Sequence, residues 1–391
     1  MTSAPNMRKR PKGMSDLDYV ELLRADGPAL DPNGFLWCFS HEHLMACVDP
    51  RTTRQVELEK MAALGLTSGP VYDYFANALL FAKGAAHARR RGPLARAFAF
   101  PVMAAMRPKV REAAEALIRP HLGREVDFLN EIAGPLPARI VADIIGAPPD
   151  DVPMIASLVY EAMAALSRLS GDPAEEAALG ALSGYVTSLI ETRRDAPGDN
   201  FLARYADEAE VAGMTWEETT AQIVAVILAG SDTTRMALCS TFSCLLANPA
   251  QWAAFQADTE GLKTAVASEG LRFDPVVGSL PRVATSEVTL DDVTVEAGTV
   301  LAPSVIGALR DPAVYASPET FDVMRADHPR YHPVFGAGAH RCLGEALARI
   351  ELEEALAALA ALAPNAALIG DPPRLRGLSA ARSIDRMEAR L

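Results

Sequence analysis

The sequence predicts a mainly α protein with a small β region, and three observations carry that expectation. Half of the 391 residues are hydrophobic but only 6% are aromatic, so Ala, Leu and Val supply most of the core; such a mix favours helices over strands. The stretch from Thr215 to Asn248 contains no proline and reads as a helix apolar on most sides. Strand and turn signals dominate only between Val283 and Ala302.

Taken in chain order, residues 15–26 read as a short helix. Gly34 to Phe39 reads as a strand with Trp37 and Phe39 on one face, following the two-residue period of a strand. Asp73 to Phe100, and on to His121, is mostly helical, with breaks expected at Gly92-Pro93 and Pro101. Segments 126–145, 153–170 and 173–194 read as helices separated by proline- and glycine-rich turns. After a further turn at 195–200, Thr215-Trp216-Glu217-Glu218 forms a Thr-x-x-Glu capping box opening a helix that Pro249 stops. About 33 residues at 1.5 Å each make a rod of roughly 50 Å. A rod apolar on most sides must cross the centre of a protein. A last long helix follows Cys342. The chain is expected to form one catalytic domain over 1–391, with 1–14 disordered.

Bulk chemistry excludes several classes. Lysine and arginine total 37 against 50 acids, a net charge of -13, which is the wrong sign for a general nucleic-acid binder. The basic N-terminal segment is followed by no apolar run, so no signal peptide or anchor is expected. No stretch reaches roughly 18 uninterrupted apolar residues, and the expectation is a cytoplasmic, monomeric protein without membrane attachment. The five cysteines, Cys38, Cys47, Cys239, Cys244 and Cys342, include no Cys-x-x-Cys pair, which argues against a disulfide framework and a zinc ribbon. A metal hydrolase on Cys38, His41 and His43 lacks any recognised ligand set. Rossmann and Walker glycine motifs are absent, so the chain is not expected to bind nicotinamide.

The segment Phe335 to Gly344 combines three glycines, a histidine and a cysteine just before a helix. Gly336 and Gly338 permit a tight turn and close approach of a flat ligand. Cys342, at the start of the last helix, sits where the dipole and unpaired N–H groups favour a thiolate. Such a thiolate suits haem iron as an axial ligand. A buried structural thiol beside a glycine turn is the competing reading, and the segment by itself leaves it open.

The segment resembles the haem-binding signature of the cytochrome P-450 family, Phe-x-x-Gly-x-His-x-Cys-x-Gly, at every specified position. Three further marks follow the family's order. Ala229-Gly230-Ser231-Asp232-Thr233-Thr234 lies midway along the long helix. Its small residues leave room for a flat cofactor, and Asp232 and Thr233 put an acid and an alcohol beside that gap. The Thr233 hydroxyl can bond back to the carbonyl of Ala229, and the pair suits a proton relay toward dioxygen. The stretch resembles the family's oxygen-activation motif. Glu269 and Arg272, an i,i+3 pair, look like the family's buried Glu-x-x-Arg. The family's meander commonly adds an arginine in Pro-x-Arg-Phe, whereas this chain reads Pro318-Glu319-Thr320-Phe321; the third partner is then either missing or replaced by a residue such as Arg325. His87, Arg91, Arg282 and His340 match family positions for cations facing haem propionates, and Arg binds a carboxylate bidentately.

The resemblance implies a cytochrome P-450-like fold: a long central helix over haem b (iron protoporphyrin IX), and the haem cysteine before the last long helix. Cys342 is then the iron ligand. Asp232 and Thr233 are catalytic. His87, Arg91, Ala229, Gly230, Arg282, Phe335, Gly336, His340 and Gly344 contact the cofactor, and Glu269 and Arg272 are structural. The implied activity is that of a monooxygenase inserting one atom of O₂ into a hydrophobic small molecule. The alternatives are a peroxide-driven or other reaction on the same scaffold, or a haem sensor. By family position, Phe75, Phe81, Val226, Ala229, Val276, Val277 and Leu378 line the pocket, with Ser170 to Pro173 as a lid.

No acid occurs between Tyr74 and Arg111, a stretch holding eight basic residues. In an acidic protein such a patch is a candidate docking site for an acidic partner. The expected partner is an acidic ferredoxin with its reductase, docking on Arg89, Arg90 and Arg341.

Overall fold

A computed structural model of the chain describes residues 4–169, 171–195, 200–379 and 381–391. Two compact units emerge from the chain's contacts. The first comprises Met1–Val56, Met236–Cys342 and Pro364–Arg390; the second comprises Glu57–Arg235 and Leu343–Ala363, with Leu391.

The first unit holds a five-stranded sheet in the order Ala29–Leu30, Leu36–Cys38, Val300–Pro303, Arg282–Ala284, Thr53–Gln55. Leu36 pairs with Leu301 in the parallel step, and Arg282 with Gln55 at the antiparallel edge. The hairpin Val288–Leu290 with Val293–Val295 buries its valines and leucine and exposes Thr289 and Thr294, the alternation a half-covered strand pair requires. Trp37 and Phe39 stack with centroids 6.3 Å apart, as the alternation predicted. The helix Asp16–Asp26 starts at Ser15, whose side chain accepts from Asp18 N. The expected disorder of 1–14 is corrected for the described part. Met7 N donates to Leu30 O at 2.7 Å and Leu30 N to Pro5 O at 2.8 Å, because the edge strand offers unpaired backbone groups.

The second unit is helical. Its longer members are Gly84–Ala97, Arg107–Ile118, Pro135–Ile145, Val152–Arg168, Pro173–Asp195, Phe201–Val211 and Glu345–Leu362. Phe201–Val211 escaped the sequence reading; Asn200 caps it by accepting from Ala203 N. Segment 126–145 is less uniform than predicted. A short strand, Glu125–Asp127, and a π turn, Leu129–Ala133, precede its helix. The expected break at Gly92-Pro93 does not occur, since Gly84–Ala97 runs through a buried Pro93. Proline removes one helical hydrogen bond, and the buried side chains of Arg90 and Leu94 hold the helix on both sides of the gap. The break at Pro101 is present, with that proline in the first turn of Phe100–Ala104.

The central helix, Trp216–Ala247, contributes residues to both units. Its predicted capping box is reciprocal: Glu218 N donates to Thr215 Oγ1 and Thr215 N to Glu218 Oε2, each at 3.2 Å. Length and hydropathy alone would let this helix cross a membrane, but 72% of its most apolar window is buried within the protein. Its C-terminal half lies directly on the helix Thr259–Phe273. A Cβ on Gly270 would sit 2.2 Å from Thr241 Oγ1, so only glycine permits that approach.

Candidate active site

The cysteine loop is shaped by its backbone. Gly336 and Gly338 have φ of 71° and 62°, a region that L side chains avoid. Phe335, 8% exposed, anchors the loop in the core. Its carbonyl accepts from Cys342 N at 2.7 Å, and Arg341 Nη1 donates to the carbonyl of Gly336 at 3.0 Å. His332, missed in the sequence, is 3% exposed and braces the approach to the loop. Its Nδ1 accepts from Val334 N, and its Nε2 lies 3.2 Å from Ser268 O. Cys342 is exposed, whereas Cys38, Cys47, Cys239 and Cys244 are buried. The last helix begins at Glu345 with Gly344 as its cap, three residues beyond the cysteine.

On the central helix, every residue from Glu218 to Leu245 is buried except Ala225, Val226, Ala229, Gly230 and Thr233. These five recur at helical spacing and form one partly exposed stripe of small side chains. Thr233 Oγ1 donates to Ala229 O at 2.7 Å, the back-bond expected from the sequence. A Cβ on Gly230 would come 2.9 Å from Val141 Cγ2. Asp232 turns away from the stripe and is 7% exposed. Burial pushes its carboxyl above the usual range, and the neighbouring Arg235 opposes that shift. Thr234 faces Glu351 of the last helix, a residue the sequence did not single out. Glu351 is 1% exposed, and burial raises it to about 8, so the carboxyl is mostly protonated at neutral pH.

The expected cations divide by environment. Arg282 is 6% exposed, and among the described residues no carboxylate pairs with it. Burial lowers its pKa, opposed only by the nearby Cys47 thiol. Burying an arginine without a counterion is unfavourable in a finished structure. Arg272 and Arg382, also buried, each have an acid. His87 is buried on Gly84–Ala97, with burial and then Arg91 lowering its pKa; Arg91, one turn on, and His340 are partly exposed.

Glu269 and Arg272 form a fully buried bidentate pair, with contacts of 2.7 and 2.8 Å. Arg325 joins it, its Nε 3.3 Å from Glu269 Oε2, so the third partner is not missing. Thr320, in place of the family's arginine, contributes its carbonyl, which accepts from Arg272 and Arg325 at 2.9 and 3.2 Å.

Of the expected pocket residues, Phe75, Phe81 and Val226 join one apolar cluster in the second unit. Phe75 and Phe81 stack at 3.9 Å, with Tyr74 edge-on to both. Val276, Val277 and Leu378 belong to the first unit, and Leu378 packs against Trp37 and its neighbours. The expected lid begins at Ser170, outside the described residues; Gly171 abuts Leu66.

The docking expectation for Arg89 and Arg90 is corrected. Arg90 is 8% exposed; it meets Glu218 Oε1 at 2.8 Å and the carbonyls of Ala76 and Ala78 at 3.0 and 3.3 Å. Arg89 meets the same carboxylate at 2.5 Å. Their neighbours are also paired: Lys83 with Glu57, Arg96 with Glu208, Arg107 with Glu353 and Glu354, Lys109 with Asp143, and Arg111 with Glu115. The acids missing from the sequence window arrive from elsewhere in the same unit.

In the first unit, an accessible thiol on a glycine-turned loop and a buried arginine that no carboxylate pairs among the described residues suit a flat, anionic, iron-bearing cofactor. In the second, the partly exposed stripe of small residues on the central helix suits a flat face. The cytochrome P450 family model matches residues 261–360. The chain is 40% identical over 348 residues to the plant-inducible cytochrome P450-pinF1 of Rhizobium radiobacter, covering 88% of this chain and 82% of that protein. It is 31% identical over 320 residues to luteothin monooxygenase of Streptomyces thioluteus, covering 80% and 76%. Among solved structures, CYP164A2 of Mycobacterium smegmatis with econazole bound superposes with a TM-score of 0.84 at 28% identity, covering 96% of each chain. The chain belongs to the cytochrome P450 family. It is a haem-thiolate monooxygenase of the bacterial type, and its cofactor is protoporphyrin IX haem.

Proposed function

We propose that residues 1–391 act as one catalytic domain in the cytoplasm, hydroxylating a hydrophobic small molecule with electrons from a ferredoxin and its reductase. The partly exposed stripe Ala225, Val226, Ala229, Gly230 and Thr233 on an otherwise buried helix carries this reading. It gives a flat cofactor and an apolar substrate a surface to lie against, with one hydroxyl at its edge. When bound, the haem supplies the redox chemistry by which one atom of O₂ enters the substrate and the other leaves as water.

The protein's own groups divide the remaining work. Cys342 would hold the haem iron through its thiolate, its loop held by the Phe335 carbonyl. Arg282, which no carboxylate pairs among the described residues, would neutralise a haem propionate, and His87, Arg91 and His340 would be further donors to the propionates. Thr233 presents a hydroxyl to the reacting centre, and Asp232 behind it exchanges protons with that hydroxyl. Phe75, Phe81 and Val226 keep water from the substrate.

The test is spectroscopic. Reduced protein with carbon monoxide should give the strongly red-shifted Soret band of thiolate-ligated haem, and Cys342→Ser should lose it. An unchanged band in that variant would remove Cys342 from the iron. Thr233→Ala should still consume reducing equivalents but release peroxide in place of product.

A further inference from the structure

Arg235 carries no role in the sequence motif, yet Tyr160 and Gly134, both outside its own helix, close on it. Its Nη2 donates to Asp232 Oδ1 at 2.8 Å, and both side chains are 9% exposed. Its guanidinium carbon lies 3.7 Å from the ring centroid of Tyr160, which projects from the helix Val152–Arg168. Gly134, between the π turn and the helix Pro135–Ile145, leaves the necessary space. A Cβ there would come 2.3 Å from Tyr160 Oη, 3.1 Å from Leu129 O and 3.2 Å from Arg235 Cδ. A guanidinium stacked on a ring is fixed in plane and position.

That placement bears on Asp232. Successive helical residues point about 100° apart, so Thr233 can lie on the partly exposed stripe while Asp232 points into the protein. A buried carboxylate requires a partner, and the charged group facing Asp232 is Arg235 of its own helix. The titratable group facing Arg235 from Val152–Arg168 is Tyr160. Gly134, beside the Arg235 side chain, carries no charge.

We propose that Arg235, seated on Tyr160, is a positioning residue that holds the Asp232 carboxylate ionised and turned from the stripe, and so sets the pH range of proton delivery through Thr233. The inference rests on Asp232 and Thr233 handling protons. Removing Arg235 leaves the carboxylate buried with no counterion, so Asp232 should hold its proton to higher pH. Removing the Tyr160 ring should act in the same direction through a looser guanidinium.

The experiment uses haem-loaded protein and two readouts. The first is infrared titration of the Asp232 carboxyl stretch, assigned with Asp232→Asn and measured without turnover. The second is the pH profile and solvent isotope effect of dioxygen consumption, with a plant-type ferredoxin and its reductase as surrogate donors. Arg235→Met should raise the protonation midpoint by about one pH unit or more and carry the acid limb of the profile with it. Arg235→Lys should recover most of the shift, Tyr160→Leu should show part of it, and Tyr160→Phe should match wild type. If Arg235→Met does not retain haem, the Arg235→Lys and Tyr160→Leu titrations decide the matter. An unmoved midpoint overturns the role of Arg235. A moved midpoint, with Asp232→Asn leaving the profile and isotope effect unchanged, instead overturns the proton-handling reading beneath it.

Discussion

The cysteine loop and the basic stretch from Lys83 to Arg111 teach opposite lessons about charge and motif. In the loop, the residues that matter are neighbours in sequence, and their geometry is local. Two glycines with positive φ and a hydrogen bond from Cys342 N to Phe335 O produce the turn. In the basic stretch the meaning of each residue depends on what is folded against it. Eight cations without a nearby acid suggest a docking face, yet Glu57, Glu208, Glu218, Glu353, Glu354 and Asp143 come from distant positions to pair with them. A window of sequence records charge along the chain, whereas a partner responds to charge across the surface.

The contrast can be broken most directly at Arg90. If it were a docking residue, Arg90→Glu would slow electron delivery and leave stability alone. Because it is buried against Glu218, the substitution should instead destabilise the fold by about 3–5 kcal/mol, measured by urea unfolding. Stability close to wild type, with slower reduction, would restore the docking reading.

The next effect concerns Glu351, raised by burial from an ordinary 4.5 to about 8. Between those values the folded state keeps a proton that the unfolded chain has lost. The stability this group contributes is complete below the unfolded pKa and is lost as pH rises through the folded one. That loss should be on the order of 2 kcal/mol between about pH 5 and pH 7. Glu351→Gln should remove that component of the pH dependence, and an unaltered stability curve would show that the carboxyl is ionised throughout.

Arg282 tests whether a buried cation can mark a cofactor site. Arg282→Met should stabilise the haem-free protein by about 1–3 kcal/mol, because an unpaired buried charge is removed. The same variant should release haem faster in a transfer assay to apomyoglobin. Stabilisation without faster release would make Arg282 a poor assignment for a propionate. The smallest effect belongs to Arg96, whose side chain is 71% exposed against Glu208. Arg96→Gln should change stability by less than about 0.5 kcal/mol, and a larger change would mean that even the outer pairs of this stretch hold the unit together.

The sequence by itself determined the mainly helical class, the capped central helix, the strand region after Val283 and the cysteine loop. Each rests on periodicity, capping or backbone restriction, which act over a few residues. It left open whether Arg325 or nothing joins Glu269 and Arg272, and the structure brings Arg325 Nε to 3.3 Å from Glu269 Oε2. Only the tertiary structure decided which cations are paired, that Pro93 sits inside a helix, that Asn6 and Met7 join an edge strand, and that Glu351 lies buried against Thr234. Those outcomes depend on contacts between residues far apart in sequence, such as Arg107 with Glu354 or Arg89 with Glu218. Burial then sets their energies, because a charge removed from water must be paired or neutralised by whatever the fold brings beside it.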